Sequence, residues 1–276
     1  MAKKYSRSEV RKRIYNQIKL KKSIFMFGAG IGLTAKCAEI GGADFIGVYS
    51  TAFWRMMGVS SLMAWLPYSN ANNELVNLAK YILPVVKESP CIAGVGAHDP
   101  TRDIEYFIDE VMDMGFSGIS NEPFVGIYGE PFINMLEDAG IGFSKEVELI
   151  SIANKKDIFT VAWAFNPSQA VKMAKAGADI IGAMIGLTTG GLSGAKETIT
   201  LEKATKDVHE IYLAAKEYNK DIIVITHGGP FEDVETAKYS IQNSGAVGYA
   251  SGSSGERVPT EKAVVEITRR YKSIDL

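Results

Sequence analysis

The 276 residues, 46% hydrophobic and 22% charged, are those of an ordinary folded chain long enough to bury roughly three-quarters of its surface. No apolar run reaches the ~18 residues of a membrane span, and the first residues lack a secretory pattern, so a cytoplasmic protein without membrane contact is expected. Two cysteines make no disulfide framework, and the net charge of −2 hides a basic start: nine Lys or Arg against one Glu in residues 1–22.

Within that start, Val10, Ile14, Ile18 and Leu20 recur near helical spacing. Residues 1–22 are therefore expected to be a basic helix lying on the main domain, 23–276, with its charged face in water. No stacking aromatics or nucleic-acid motif accompany the charge, so no nucleic acid is expected as a partner.

Eight short apolar runs follow, each read as a strand: Ile24–Phe27, Phe45–Val48, Ile92–Val95, Gly118–Ser120, Phe159–Ala162, Ile180–Ala183, Ile222–Ile225 and Val247–Ala250. Helices are expected between them at Thr34–Ile40, Asn73–Glu88, Asp103–Met114, Pro167–Ala176, Leu201–Tyr218, Asp233–Gln242 and Thr260–Tyr271. Pro84 is a candidate kink in the second of these. Both cysteines, Cys37 and Cys91, read as small core residues. Strand–helix alternation repeated eight times predicts a single-domain α/β fold, a (β/α)8 TIM barrel. Two connections are long. Residues 49–72, after the second strand, hold Phe53, Trp54, Met56, Met57, Leu62, Met63, Trp65 and Leu66. A lid, a subunit interface or an extra packed helix would each shelter them, and we expect a homo-oligomer. Residues 121–143, after the fourth strand, should carry a short helix at Pro131–Ala139.

Active sites of such barrels sit at the C-terminal ends of the strands, where the polar residues of this chain gather. Gly28-Ala29-Gly30-Ile31-Gly32 turns from strand to helix without side chains, so its amides can approach an anion. It lacks the full dinucleotide pattern, and no nucleotide cofactor is expected. Thr188-Thr189-Gly190-Gly191, Gly228-Gly229 and Gly252-Ser253-Ser254 offer hydroxyl-and-glycine cradles suited to phosphate or carboxylate. Their alternative role is simply to make tight turns. His227, in His227-Gly228-Gly229-Pro230, is a candidate proton carrier. His98 reads as a weaker one, and His209 as a surface residue in mid-helix. Asp99 and Glu122, after strands three and four, are a candidate carboxylate pair for Mg²⁺. Asp99 serves equally well as a helix cap. Arg55, Lys196 and Arg257 are the loop cations placed to meet an anionic substrate.

These motifs, with Arg55-Met56, Leu66-Pro67-Tyr68, Glu146-Val147-Glu148 and Glu256-Arg257-Val258-Pro259-Thr260-Glu261, resemble the phosphoenolpyruvate-hydrolase-like TIM-barrel family, also described as similar to indole-glycerol-phosphate synthase. The resemblance runs over nearly the whole chain. It implies a barrel related to phosphoenolpyruvate-using enzymes, a hydrolase or a C–C or C–P lyase acting on a small phosphorylated or carboxylated metabolite. Arg55, His227, Asp99 and Glu122 would be catalytic. The glycine-rich loops, with Glu256 and Arg257, would bind the anion. Two positions depart from the family pattern: Met184-Ile185 stands where the family carries a histidine, and Asn121-Glu122-Pro123 replaces Asn-Phe-Pro. A non-catalytic ligand-sensing or protein-binding barrel is the competing expectation.

Overall fold

In the computed structural model, which describes residues 1–276, eight parallel strands close into a barrel in sequence order. In chain order the elements are α1 (Arg7–Lys19), β1 (Ile24–Ala29), α2 (Gly32–Ile40), β2 (Phe45–Val48), α3 (Ser50–Met56), α4 (Ala71–Ile82), β3 (Cys91–Val95), α5 (Ile104–Asp113) and β4 (Gly118–Asn121). They continue with α6 (Phe132–Asp138), α7 (Phe143–Lys155), β5 (Phe159–Ala164), α8 (Pro167–Lys175), β6 (Ile180–Met184), α9 (Leu201–Tyr218), β7 (Ile223–His227), α10 (Val234–Ser244), β8 (Gly248–Ser251) and α11 (Arg257–Lys272). All eight expected strands form, and the fold is the (β/α)8 barrel.

Alternation along each strand divides the core. Ile24, Met26, Phe45, Ile92, Phe159, Val161, Ile180, Ile223 and Ile225 point inward and fill the barrel. Residues of opposite parity, such as Ile46, Ala93 and Ile119 or Ala162, Ile181 and Val224, face outward under the helices. Large inward rings need room on neighbouring strands, and glycines supply it. A Cβ on Gly47 would stand 2.6 Å from Met26 and 2.7 Å from Tyr49, and one on Gly94 would strike Tyr49 and come within 3.2 Å of Glu122. A Cβ on Gly182 would enter the Trp163 indole, and one on Gly28 the Tyr49 phenol.

Helix α1 closes the base of the barrel. Ser6 and Glu9 form a reciprocal cap at its start. Val10 and Ile14 join the inner cluster, each fully buried side chain contributing roughly 1.5–3 kcal/mol. Its basic face is not wholly solvated. Arg7 Nε donates to Asp179 at 3.0 Å, and Arg7 also reaches Asn154 and the Gly177 carbonyl.

Three details differ from expectation. Helix α4 begins at Ala71 under the Asn70 cap and stops at Ile82, because Pro84 ends it rather than kinking it. Helix α7 is additional to the expected set. Its buried face, Phe143, Glu146, Leu149, Ile150 and Ala153, includes a carboxylate that masks the apolar period. Cys91 is buried as expected, but Cys37 is exposed on α2. His209 is exposed in the middle of α9, as expected, and its Nδ1 lies 2.9 Å from the Ser244 carbonyl. No helix is long and apolar enough to cross a membrane.

Candidate active site

The long connections after β2 and β4 meet above the barrel mouth. Helix α3 occupies the start of the first, and a 3₁₀ turn at Ser61–Trp65 follows it. Trp65 Nε1 donates to the Phe124 carbonyl at 2.6 Å, and Tyr128 Oη donates to the Trp65 carbonyl at 2.9 Å. The apolar insertion is thus a lid clasped to the β4 loop. Beneath it lies a cavity of about 40 Å³, lined by Tyr49, Thr51, Arg55, Glu122, Trp163, Met184, Thr188, His227, Gly252 and Ser253 among others. That is room for roughly three waters.

Arg55 is the fixed cation of this cavity. It is buried, and its Nε donates to Glu256 Oε2 at 2.7 Å. Nη2 donates to the Gly28 carbonyl, and the guanidinium stands 5.7 Å from the Tyr49 ring centroid. Nη1 has no protein partner and lies 3.3 Å from where a Cβ on Gly252 would stand. Glu256 is saturated: its other oxygen accepts from the Gly30 amide at 2.7 Å and the Thr34 hydroxyl at 2.6 Å. Three donors and a buried partner make Glu256 a clamp for Arg55 rather than a ligand group.

Glu122 follows β4 and faces the cavity. Burial pushes its carboxyl up to about 7, opposed by the Thr51 hydroxyl that donates to Oε1 and by the Arg55 charge. Its Oε2 has no protein partner. The strand end that carries it is tied down. Asn121 Oδ1 accepts from the Trp163 amide at 2.7 Å, and its amide group donates to Glu146. Glu146 also accepts from the Val125 amide at 2.8 Å, and burial raises its carboxyl to about 8.

His227 ends β7 with its ring 5.2 Å from the Trp163 ring. Its Nδ1 lies 2.6 Å from the Ala250 carbonyl, which only accepts, so Nδ1 carries the proton and Nε2 presents a lone pair. Protein packs closely round the ring although part of its surface opens to the cavity. That burial, helped by the Arg55 charge, lowers its pKa to about 4. At neutral pH His227 is a hydrogen-bond acceptor and not an acid. Trp163 is 2% exposed, and its indole N–H has no partner.

The other expected site residues fall elsewhere. Asp99 is outside the cavity: Thr101 donates to one oxygen at 2.9 and 2.6 Å, Asn72 to the other at 3.0 Å, and its carboxyl is held down to about 2. The Asp99–Glu122 pair is therefore not assembled, and no three His, Cys, Asp or Glu side chains converge anywhere. His98 bonds the Gly142 carbonyl at 3.0 Å and does not line the cavity. Arg257 turns from the cavity to Glu261 at 2.7 Å and the Gly190 carbonyl at 3.0 Å. Thr189 donates to Glu232 at 2.7 Å, and Ser254 pairs with Tyr249 at 2.7 Å. Gly190, Gly191, Gly228 and Gly229 have positive φ and shape turns. Of the proposed cradles only Thr188, Gly252 and Ser253 reach the cavity, while Gly28 and Gly30 act through Arg55 and Glu256. Lys196 is exposed. Tyr49, Thr51 and Trp163 are cavity residues that the motifs did not single out. Their only signal was position, at or just past the end of a strand.

A model of the family described as phosphoenolpyruvate hydrolase-like matches residues 9–274. The ToMV susceptible protein tm-1(GCR26) of Solanum lycopersicum is 41% identical over 265 residues, which are 96% of this chain and 35% of the tomato protein. The putative transcriptional regulatory protein y4pA of Sinorhizobium fredii (strain NBRC 101917 / NGR234) is 32% identical over 246 residues, 89% of this chain and 40% of that protein. The chain thus spans between 35% and 40% of the length of these relatives. Among solved structures it is similar in fold to 2,3-dimethylmalate lyase, a PEP mutase/isocitrate lyase superfamily member, with TM-score 0.61, 15% identity and coverage of 98% of this chain and 90% of the other. It is likewise similar to phosphonopyruvate hydrolase in complex with oxalate and Mg²⁺, with TM-score 0.58, 16% identity and coverage of 95% and 84%. Residue match, barrel topology and the placing of the cavity agree, and this chain belongs to the phosphoenolpyruvate hydrolase-like family.

Proposed function

We propose that this barrel is an enzyme acting on a small 2-oxo or enol carboxylate, of the hydrolase or lyase type. One observation carries the reading: a carboxyl poised near pH 7 shares a lidded cavity with a guanidinium that keeps one nitrogen unpaired. Arg55 Nη1 and the Trp163 indole N–H would donate to the substrate's carboxylate. His227 Nε2 would accept from a substrate hydroxyl or a water and fix its direction. Glu122 would move the proton, giving it to the atom that gains electron density as the bond breaks and recovering it from water. The solved neighbour that holds oxalate and Mg²⁺ supports a ligand of this size and charge. A Mg²⁺ that keeps most of its waters would take its other ligands from the substrate, and Glu122, whose free oxygen carries the proton, would meet it through one of those waters. When bound, such an ion would stabilise charge on an enolate or phosphoryl oxygen. Asp99, already saturated, would not contribute.

The test is calorimetric titration with oxalate, with and without Mg²⁺, beside turnover assays on phosphoenolpyruvate, phosphonopyruvate and oxaloacetate. Glu122→Gln should keep oxalate binding and lower turnover by about 10²–10⁴-fold. Absence of binding by every one of these anions would overturn the proposal. A second reading, a ligand-binding module without turnover, draws support from Met184 at the family's histidine position and from relatives whose names record no reaction. Oxalate binding without turnover of any substrate would favour it.

A further inference from the structure

Glu146 is a buried carboxyl that the proposed chemistry leaves idle. It stands in the first turn of α7 on the face formed by Phe143, Leu149, Ile150 and Ala153, and none of it reaches solvent. Burying a carboxyl among such neighbours costs stability that an apolar side chain would not. What the carboxyl gains is a hold on the chain on both sides of Glu122.

The first hold is at the end of β4. The strand pairs with β5 as far as Ser120 and Val161. Beyond that point the Asn121 side chain takes over. Its Oδ1 accepts from the Trp163 amide at 2.7 Å, and its Nδ2 donates to Glu146 Oε2 and, at 3.3 Å, to the Trp163 carbonyl. The second hold is on the β4 loop, where Glu146 Oε1 accepts from the Val125 amide at 2.8 Å. The carbonyl of that same peptide group, Phe124–Val125, accepts from Trp65 Nε1 at 2.6 Å, which is the clasp of the lid. Glu122 lies between the two ties. Trp163 hangs on the first and the lid on the second.

We propose that Glu146 is a positioning residue of this site, holding Glu122, Trp163 and the lid in fixed relation. The inference rests on the roles proposed for Glu122 and Trp163. Both Glu146 oxygens accept. A carboxyl oxygen can accept in either charge state, whereas an amide nitrogen only donates. Glu146→Gln therefore keeps shape and volume but sets one N–H against another at one of the two ties. Adding Asn121→Asp reverses the first tie. The new amide at 146 donates to the new carboxyl at 121, whose other oxygen still accepts from the Trp163 amide. Protonated, that carboxyl also keeps the contact to the Trp163 carbonyl.

The test uses the full chain labelled uniformly with ¹⁵N. Glu146→Gln should weaken oxalate binding about tenfold, whichever tie breaks. If Val125 loses its partner, the Trp65 indole N–H should exchange at least about tenfold faster relative to the β1 amides. If Asn121 loses its partner, the Trp163 indole resonance should move. The double variant should restore the tryptophan signals and bring oxalate affinity back to within about threefold of wild type. A Glu146→Gln protein in which both tryptophan signals match wild type would overturn the proposal, even if it melts lower. So would a double variant as impaired as the single one, because the loss would then lie in packing or charge and not in the direction of the bonds. Should the single variant fail to fold, the double variant decides alone. A wild type that ignores oxalate would sink the function proposed above, and the two tryptophan signals would still decide this inference.

Discussion

Gly252 offers the smallest perturbation that separates the proposed anion position from the rest of the fold. A Cβ there would stand 3.3 Å from Arg55 Nη1 and 3.3 Å from His227 Cε1, between the two groups assigned to the substrate. Neither distance is a hard clash, and Gly252 is not among the positive-φ glycines, so Gly252→Ala should fold. Its melting temperature without ligand should stay within about 3 °C of wild type. A methyl group is about the size of a water, and the cavity has room for roughly three. The added group takes about a third of that room, at the point between the two groups assigned to the anion, and affinity should fall about 30-fold. Oxalate at 100 times its wild-type dissociation constant adds about 2.7 kcal/mol, or roughly 5–10 °C of thermal shift. For Gly252→Ala the same concentration is only about three times the new constant, which leaves about 0.9 kcal/mol and a shift of roughly 2–3 °C. A full wild-type shift in a variant of normal stability would refute the placing of the anion between Arg55 and His227.

Other outcomes follow from the same geometry. Burial raises the Glu122 carboxyl from its ordinary value of 4.5 to about 7, so its contribution is fully favourable below 4.5 and is lost as pH rises toward 7. Glu122→Gln should thus gain about 3 kcal/mol on wild type between pH 4.5 and 8, measured by urea denaturation, and equal slopes would contradict the raised value. His227 stays neutral down to about pH 4, so no limb of the pH–rate profile between 5 and 8 should vanish in His227→Gln. Ser254→Ala and Arg257→Lys, whose partners lie outside the cavity, should bind oxalate within about threefold of wild type by calorimetry. A larger loss would restore these loops as anion cradles. In a protein labelled with ¹⁵N-tryptophan, the Trp163 indole resonance should move on titration with oxalate, and Trp163→Phe should bind it about tenfold more weakly. A stationary Trp163 resonance would remove that donor from the proposal.

The barrel was legible because each strand is a short apolar run closed by glycine or a polar turn, and the pattern repeats eight times. Helix α7 was not, because Glu146 sits on its buried face and breaks the apolar period. The hydrophobic content of residues 49–72 allowed several shelters, and the Trp65–Phe124 and Tyr128–Trp65 bonds that hold the segment over the mouth join positions about 60 residues apart. Charged residues in turns were the hardest to assign. Asp99 and Glu122 look alike in the chain, yet one is consumed by Thr101 and Asn72 while the other faces the cavity. Arg55 and Arg257 differ in the same way, and their partners lie 201 residues on, at Glu256, or one helical turn away, at Glu261. Nothing in a local pattern encodes that choice. Tyr49 and Trp163 carried no motif, since an aromatic at the end of an apolar run reads as core.

The glycines that admit the inward rings have a consequence for substrate choice. Tyr49 and Trp163 wall the cavity, but Gly28, Gly94 and Gly182, on adjacent strands, set how far those rings withdraw from it. A methyl group at Gly182 would displace the indole without changing the identity of any residue that lines the cavity. Capacity in this barrel is thus governed at second hand, one strand over from the contact. A comparison of relatives confined to contact positions would find them identical while their sites admitted different molecules. A library built to reshape the cavity by moving its rings would vary these glycines as well as the walls.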